Sequence, residues 1–493
     1  MFLCVKIWNL FGESILHSKT SVHRRKLKWN DKKLILWALT LLLGILLWFS
    51  PPPRGLTPEA WRLFAIFFTT IFSIIAGLMP ILVASILAIA VTVLSGLLTP
   101  EQAYEGYSQG FILLIVVAFL VSQAVVKSGL GKRIALHIIA RFGRSTLGLA
   151  YSMMATDLLI APAFPSNTAR SGVLFPIVQS LAHDSGSKVA DGTRKRLGAY
   201  LMMNMMVSLS ISSSLWFTAM AANPLGAQMA KKFGVDITFG NWLLAACVPA
   251  LTAFALAPLV LMKIFPPEVK KTPSAPEQAK KALEKMGPVH RNEWITGVVF
   301  VAMVILWALS GLFPIDKTAV AFAGLGVLMV AHIFTMADMR HQGEALSTLI
   351  WFSALYTLSS YLDKFGFMGY VGGHIAHAVE SFSWPLVYVI LILVYVFIHY
   401  LFVSQTAQML ALYAIFLEVG VNAGVPAYLM AFMLLFATNF NAIITPQGSS
   451  ANVLFVSSEY MTSKELYKNG FWMTLFNTAL FMGLGTFWIL LVF

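Results

Sequence analysis

The sequence predicts an all-α polytopic membrane protein, and three observations predict it. Of the 493 residues, 58% are hydrophobic and only 11% charged, against roughly 25% charged in an ordinary soluble domain. The mean hydropathy is +0.78. Apolar stretches close to the length that a bilayer core requires, about 20 residues, recur along the chain. So little polar material cannot cover a water-facing surface, which excludes a soluble enzyme, a nucleic-acid binder and a disordered scaffold. The expected surroundings are a lipid bilayer, with no nucleic-acid partner. Two cysteines, Cys4 and Cys247, supply neither a disulfide framework nor a cysteine metal site.

The first element is a basic leader, 1–33, in which Lys19–Lys33 carries seven Lys/Arg against one Asp. It reads as cytoplasmic, with an organelle transit peptide as the alternative. The Met1–Phe11 stretch ahead of it is too short to span. An extra first transmembrane helix with its loop follows over 34–58. Apolar stretches near 60–78, 80–98, 111–127, 146–161, 198–217 and 242–264 make a first half, 59–264. A linker over 265–293 holds Pro266, Pro267, Pro273, Pro276 and an alternating Lys/Glu run, and its cations place it on the side of the leader. The second half, 294–493, has stretches near 294–312, 318–334, 348–362, 384–403, 425–444 and 471–493. Elsewhere the cations read first as topology signals and second as a lipid-binding patch.

Two segments on one side of the membrane require an even number of crossings between them, yet seven apolar stretches precede the linker. One must enter and turn back. The stretch 146–161 runs into Ala161-Pro162-Ala163-Phe164-Pro165-Ser166-Asn167-Thr168, where two prolines and a polar cluster stop a helix. This predicts a re-entrant hairpin over 146–182 with its tip near Ser166, tolerated at membrane depth only inside protein or beside a watery cavity. The halves also share a register. Lys127, Gly129 and His137 recur as Lys364, Gly366 and His374, 237 positions later, and Ser166, Thr168 and Ala169 recur as Ser404, Thr406 and Ala407 at 238. The second hairpin then covers 384–420. Five crossings plus a hairpin per repeat invert the second copy, giving about eleven transmembrane helices in the layout of secondary transporters.

The candidate chemistry sits at the two tips, Ser166-Asn167-Thr168-Ala169-Arg170 and Ser404-Gln405-Thr406-Ala407-Gln408. Hydroxyls, amides and helix N-termini hold a small dianion without burying a charge. The plain alternative is helix capping at unrelated loops. Broken helices are predicted at Ser212–Asn223 and Asn439–Asn452, where freed carbonyls could bind a cation. The candidate cation set is Asn167, Ser213, Asn223, Gln405, Gly448 and Asn452, and Thr445 joins the substrate set. Arg170 either pairs with a substrate carboxylate or snorkels to set topology. Asp157 is its counter-ion or a proton-coupling group. His399 reads as a packed neutral imidazole. Nothing here reads as a nucleotide site, a catalytic triad or a resident metal motif, so no enzyme activity and no cofactor are expected beyond Na+ as a coupling ion.

The tip motifs, Ala161-Pro162-Ala163, Ser128-Gly129-Leu130-Gly131-Lys132-Arg133 and Thr445-Pro446 together resemble the divalent anion/sodium symporter family, in its branch of 2-oxoglutarate/malate and citrate/succinate translocators. The resemblance covers nearly the whole chain from about residue 33. It implies eleven spans, two hairpins, a homodimer, elevator movement of a substrate-carrying domain, and substrate contacts from Ser166, Asn167, Thr168, Ser404, Gln405 and Thr406. Gln405 departs from the family's second Asn, which alters the pocket's depth. The hydroxyl residue expected four positions before each motif serine in sodium-coupled members is here Pro162 and Tyr400. That favours exchange, with Arg170 supplying a charge that sodium would otherwise give. The expectation is a secondary transporter of small di- or tricarboxylates in a bacterial inner membrane or an organelle's inner envelope, N-terminus cytoplasmic. The alternatives are sodium-coupled symport of a dicarboxylate or an inorganic anion, and an anion channel.

Overall fold

The computed structural model describes residues 31–493 apart from 312, 379 and 380, so all but the last residues of the basic leader lie outside the described part. Among the described residues the chain is helical, and the one β-type contact is an isolated bridge between Ser145 and Lys271. In order, the main helices are α1 (Asp31–Phe49), α2 (Pro58–Ile75), α3 (Ile81–Leu94), α4 (Gly110–Ser128), α5 (Leu130–Phe142), α6 (Thr146–Ile160), α7 (Asn167–Asp184), α8 (Gly198–Leu215), α9 (Ala222–Ala230) and α10 (Phe239–Ile264). Then come α11 (Ala275–Met286), α12 (Arg291–Leu309), α13 (Lys317–Val330), α14 (Gly343–Lys364), α15 (Phe367–Ala378), α16 (Trp384–Phe397), α17 (Gln405–Asn422), α18 (Ala427–Phe440), α19 (Ser450–Ser457) and α20 (Ser463–Leu480), with a π-turn and a last short helix beyond. Among the described residues nine segments are long and apolar enough to cross a membrane, with three shorter apolar helices at Lys33–Phe49, Ile81–Leu94 and Lys317–Val330.

Two helices form the centre. Every residue of α8 is buried, including Met202, Met203, Met205 and Met206, and α18 is buried over most of its length. A helix apolar on all sides belongs inside a bundle and not at its lipid face. By contrast, α1, α3, α12 and α13 expose Leu, Ile and Val side chains outward.

Both central helices break inside the bundle, where the turns that follow them are buried. After α8 a 3₁₀ turn at Phe217–Ala219 leads into α9, and after α18 a 3₁₀ turn at Asn441–Ile444 leads into α19. Pro446 explains the second break, because the residue before a proline is forced into extended backbone; Thr445 has φ −137° and ψ 155°. The same rule acts at the first tip, where Phe164 precedes Pro165 and has φ −124°, ψ 106°. Gly129 and Gly366, matched in register, both end a helix in the left-handed region with φ of 80° and 84°, where glycine alone carries no Cβ penalty.

The linker is ordered. Helix α11 lies on α5, and between them Arg133 donates to Glu293 at 2.8 Å and to the carbonyl of Gly287 at 2.9 Å. Arg133, the last residue of the Ser128–Arg133 motif, is therefore a buried ion-pair partner.

Candidate functional site

Each tip is a helix N-terminus made by a capping serine. Ser166 accepts the amide N–H of Ala169 at 3.3 Å, and Ser404 accepts that of Ala407 at 3.3 Å. The plain reading of these serines as caps is therefore correct for their local bond, and both are half-buried. The tips meet: the Asn167 amide donates to Gln405 Oε1 at 3.5 Å. The breaks meet as well, with Asn439 Nδ2 donating to Asn223 Oδ1 at 2.9 Å. The second arm of each hairpin packs against the short helix of the opposite half, α7 on α19 and α17 on α9. Thr168 and Ser450 hydroxyls lie 2.6 Å apart across the first of these contacts. Among the described residues the Thr406 hydroxyl has no hydrogen-bond partner, and it is half-buried beside Gln405. Thr445 is fully buried and its hydroxyl is unpartnered, so it stands behind the tips and not among their accessible groups.

The broken helices share one construction. The Asn223 amide donates to the carbonyls of Ser213 at 3.1 Å and Trp216 at 3.4 Å. Asn452, 229 residues later, donates to the carbonyls of Ala442 at 2.8 Å and Thr445 at 3.1 Å, each 229 residues after its counterpart. The carbonyls released by the two breaks, expected from the sequence as cation ligands, are thus held by amide N–H groups. An asparagine within reach does this because an unpaired buried carbonyl costs about 1–3 kcal/mol.

Behind the first tip lies a buried charge pair. Arg170 and Asp157 are both fully buried and joined at 3.1 Å. Arg170 also donates to Ser212 Oγ at 2.5 Å, Ser213 Oγ at 2.6 Å, the Leu209 carbonyl at 3.4 Å and Asn167 Oδ1. The second Asp157 oxygen accepts from Ser208 and Ser212, each at 2.7 Å. The guanidinium therefore neither snorkels nor lies in the open part of the site. It presents its positive charge to the back of the tip and its counter-ion away from it.

The second half repeats the positions without the charges. Gln408 stands 238 residues after Arg170, and Tyr395 stands 238 after Asp157. Gln408 Nε2 donates to the Tyr395 carbonyl at 2.6 Å and its Oε1 accepts from Asn441 at 3.1 Å. His399 is 2.5 Å from Gln408 Oε1 and 2.9 Å from the Gly448 carbonyl, so the imidazole, expected only to pack, is a buried hydrogen-bonding partner behind the second tip. Gln405 Nε2 bonds the carbonyls of Thr438 at 2.7 Å and Asn439 at 3.1 Å.

The candidate cation ligands can be tested against this geometry. Asn167 Oδ1 and Ser213 Oγ, oxygen donors of the kind a monovalent cation takes, already bond the Arg170 guanidinium. Asn223, Asn452 and Gln405 turn N–H groups toward carbonyls. The Gly448 carbonyl bonds His399. Sequence reasoning missed Ser208, and it placed Ser450 and Asn441 in the second broken helix without their partners. All three act across more than thirty residues or between halves, where no local spacing betrays them.

Comparison with known proteins gives the following. The family described as the sodium:sulfate symporter transmembrane region matches residues 31–493. A Bacillus subtilis protein named for malate transport, YflS, is 40% identical over 463 residues, covering 94% of this chain and 97% of its own. The chloroplast dicarboxylate transporter 1 of Spinacia oleracea is 35% identical over 464 residues, covering 93% of this chain and 82% of its own. Among solved structures, the YdaH transporter of Alcanivorax borkumensis matches with a TM-score of 0.51 and 16% identity over 93% of this chain and 97% of its own, a likeness of fold.

Proposed function

The chain belongs to the sodium:sulfate, or divalent anion/sodium, symporter family, and on that premise we propose that it is a secondary active transporter of small dicarboxylates that works by exchange. The observation that carries the coupling mode is the occupation of the candidate cation donors by Arg170 and His399. The relatives' names, malate and dicarboxylate transport, support the substrate class.

In this reading the substrate's carboxylates sit between the two tips. Thr168 and Thr406 hydroxyls, with backbone N–H groups at the two helix N-termini, receive the oxygens. Asn167 and Gln405 join the tips and hold them at fixed spacing. The hairpin-bearing unit, α6–α10 with α16–α20, moves as a body against the remaining helices in a homodimer.

Exchange also suits the energetics. Moving one charge across a membrane costs about 2.3 kcal/mol per 100 mV, so a dianion entering a negative interior costs about 4.6. A symporter offsets this with two or more cations. A dianion-for-dianion exchanger cancels it, and a cation covalently fixed to the protein suffices to stabilise the bound anion.

Uptake of labelled malate into proteoliposomes tests the proposal. Exchange requires internal dicarboxylate and ignores a sodium gradient. Sodium-driven uptake into empty vesicles overturns the exchange reading and returns the cation set to use. Downhill flux with no countertransport overturns it in favour of a channel.

A further inference from the structure

A strap of backbone gathers the exposed cations at one end of the hairpin-bearing unit. The amides of Glu268 and Val269 donate to the carbonyls of Lys195 and Arg196 at 3.3 and 3.0 Å. On the strap's other edge, Thr146 N–H bonds the Lys270 carbonyl at 3.1 Å, Thr272 N–H bonds the Arg144 carbonyl at 3.0 Å, and Ser145 pairs with Lys271. The Thr272 hydroxyl fixes the same edge through the Gly143 carbonyl at 2.7 Å. Segments that are distant in sequence thus place Arg144, Lys195, Arg196, Lys270 and Lys271 on one ridge, all exposed.

This ridge is short of counter-charge. Lys195 shares Glu465 with Arg194, at 3.1 and 2.7 Å. Among the described residues Arg144, Arg196, Lys270 and Lys271 have no ion-pair partner, and the acid on the strap itself is the exposed Glu268. Three helices have their ends beside it: α6 begins at Thr146, α7 ends at Asp184 and α10 ends at Ile264. Phe142, 58% exposed, projects between Arg141 and Arg144, with the Arg141 guanidinium 5.9 Å from its ring centre.

We propose that this ridge binds the phosphate headgroups of anionic phospholipids, with Phe142 seated in the interface beside them. Topology signalling explains cations on one side of a membrane, but it requires neither their assembly by backbone pairing nor an exposed aromatic among them. Cations beside an interfacial apolar ring are the arrangement that holds a protein element to an anionic leaflet. The five strap residues, extended, reach at most roughly 18 Å, which suits adjacent headgroups better than one small soluble dianion. Because the ridge belongs to the hairpin-bearing unit, lipid held there biases that unit toward the leaflet it touches; this last consequence rests on the elevator reading, whereas lipid binding does not.

The test uses the full chain and the triple variant Arg144→Gln/Lys270→Gln/Lys271→Gln, purified from mixed phosphatidylglycerol and phosphatidylcholine, with bound lipid read by native mass spectrometry. Wild type should retain phosphatidylglycerol over phosphatidylcholine by several-fold, less so at 0.5 M salt as exposed charges are screened, and the triple variant should lose most of that preference while eluting as a single folded species. Equal preference in wild type and variant, or none in wild type, overturns the proposal. Uptake in pure phosphatidylcholine vesicles separates the rival role: a raised KM in the variant with its lipid preference intact means the ridge steers free dianions, and the lipid assignment is wrong. If the triple variant does not fold, Lys270→Gln alone, expected to lose part of the preference, decides the matter on the same readout.

Discussion

Removing one member of the Asp157–Arg170 pair should destabilise the protein severely, and removing both should not. Asp157→Asn leaves the guanidinium fully buried with hydroxyls and amide oxygen as its remaining partners. Arg170→Gln leaves a carboxylate whose remaining partners are Ser208 and Ser212. Breaking a buried pair from one side costs about 3–5 kcal/mol because the surviving charge stays in low dielectric. The double variant Asp157→Asn/Arg170→Gln removes both charges and gives the first half the neutral amide that Gln408 already supplies in the second. Each single variant should therefore lose about 3–5 kcal/mol, and the double should lose less than either single. Equilibrium unfolding in mixed micelles measures all four corners of this cycle. Singles within 1 kcal/mol of wild type, or a double equal to the sum of its singles, would refute the claim that the two residues act as one buried ion pair.

Thr168→Ala and Thr406→Ala should each weaken carboxylate uptake by roughly ten- to a hundred-fold in KM, the worth of about 1.5–3 kcal/mol for a hydrogen bond to a charged group, with elution profiles unchanged; normal uptake in both would remove the tips from the substrate site. Asn223→Ala and Asn452→Ala should cost similar stability, about 1–3 kcal/mol each, since each frees two carbonyls in the same arrangement, and unequal unfolding free energies would show that the equivalence ends at geometry. Gly470→Ala should lower both stability and transport, because a Cβ there would lie 2.1 Å from the Ile443 carbonyl, and backbone cannot swing aside as a side chain can; an unchanged melting curve would mean α20 does not clamp the second break.

The hairpin arms and the breaks are legible in the sequence where proline and small polar residues interrupt apolar runs. Pro162, Pro165 and Ser166 announce the first tip directly. The second tip has no proline, and it is legible only through its offset from the first, after which Ser404 caps α17 as Ser166 caps α7. What is not legible is the wiring behind the tips. The sequence offers Asp157 as the counter-ion of Arg170, and the two do pair, but both alternatives for the arginine itself point it outward, to substrate or surface. The structure instead buries it among Ser208, Ser212 and Ser213 of the central helix. In the sequence Ser212 opens the first broken helix and Ser213 is a candidate cation ligand. Ser212 and Ser213 do bond the Leu209 carbonyl, yet they also turn to the charge pair. Local periodicity cannot predict that choice, because it depends on which side chain a distant segment brings within 3 Å.

The two halves place equivalent groups on the same backbone frame and differ in charge, and that difference bears on coupling. A sodium ion in a pocket behind a tip leaves when the gradient favours it, and the empty carrier returns without it. Arg170 cannot leave. Its guanidinium bonds Asn167 at the tip and Asp157 in the preceding arm. On the exchange reading, a substrate carboxylate completes the field of the guanidinium through Asn167 when the site is loaded; when it is empty, that field ends in water or in apolar wall, at a cost in any state that closes the site away from solvent. A fixed cation therefore penalises the empty crossing more than the loaded one. On the exchange reading this penalty is the coupling device itself: it makes return with a second dicarboxylate easier than return without one, and it does so without an ion gradient. The second half, where His399 lies between Gln408 and the Gly448 carbonyl, has no such ion pair among the described residues, so on the exchange reading the penalty comes from the first tip.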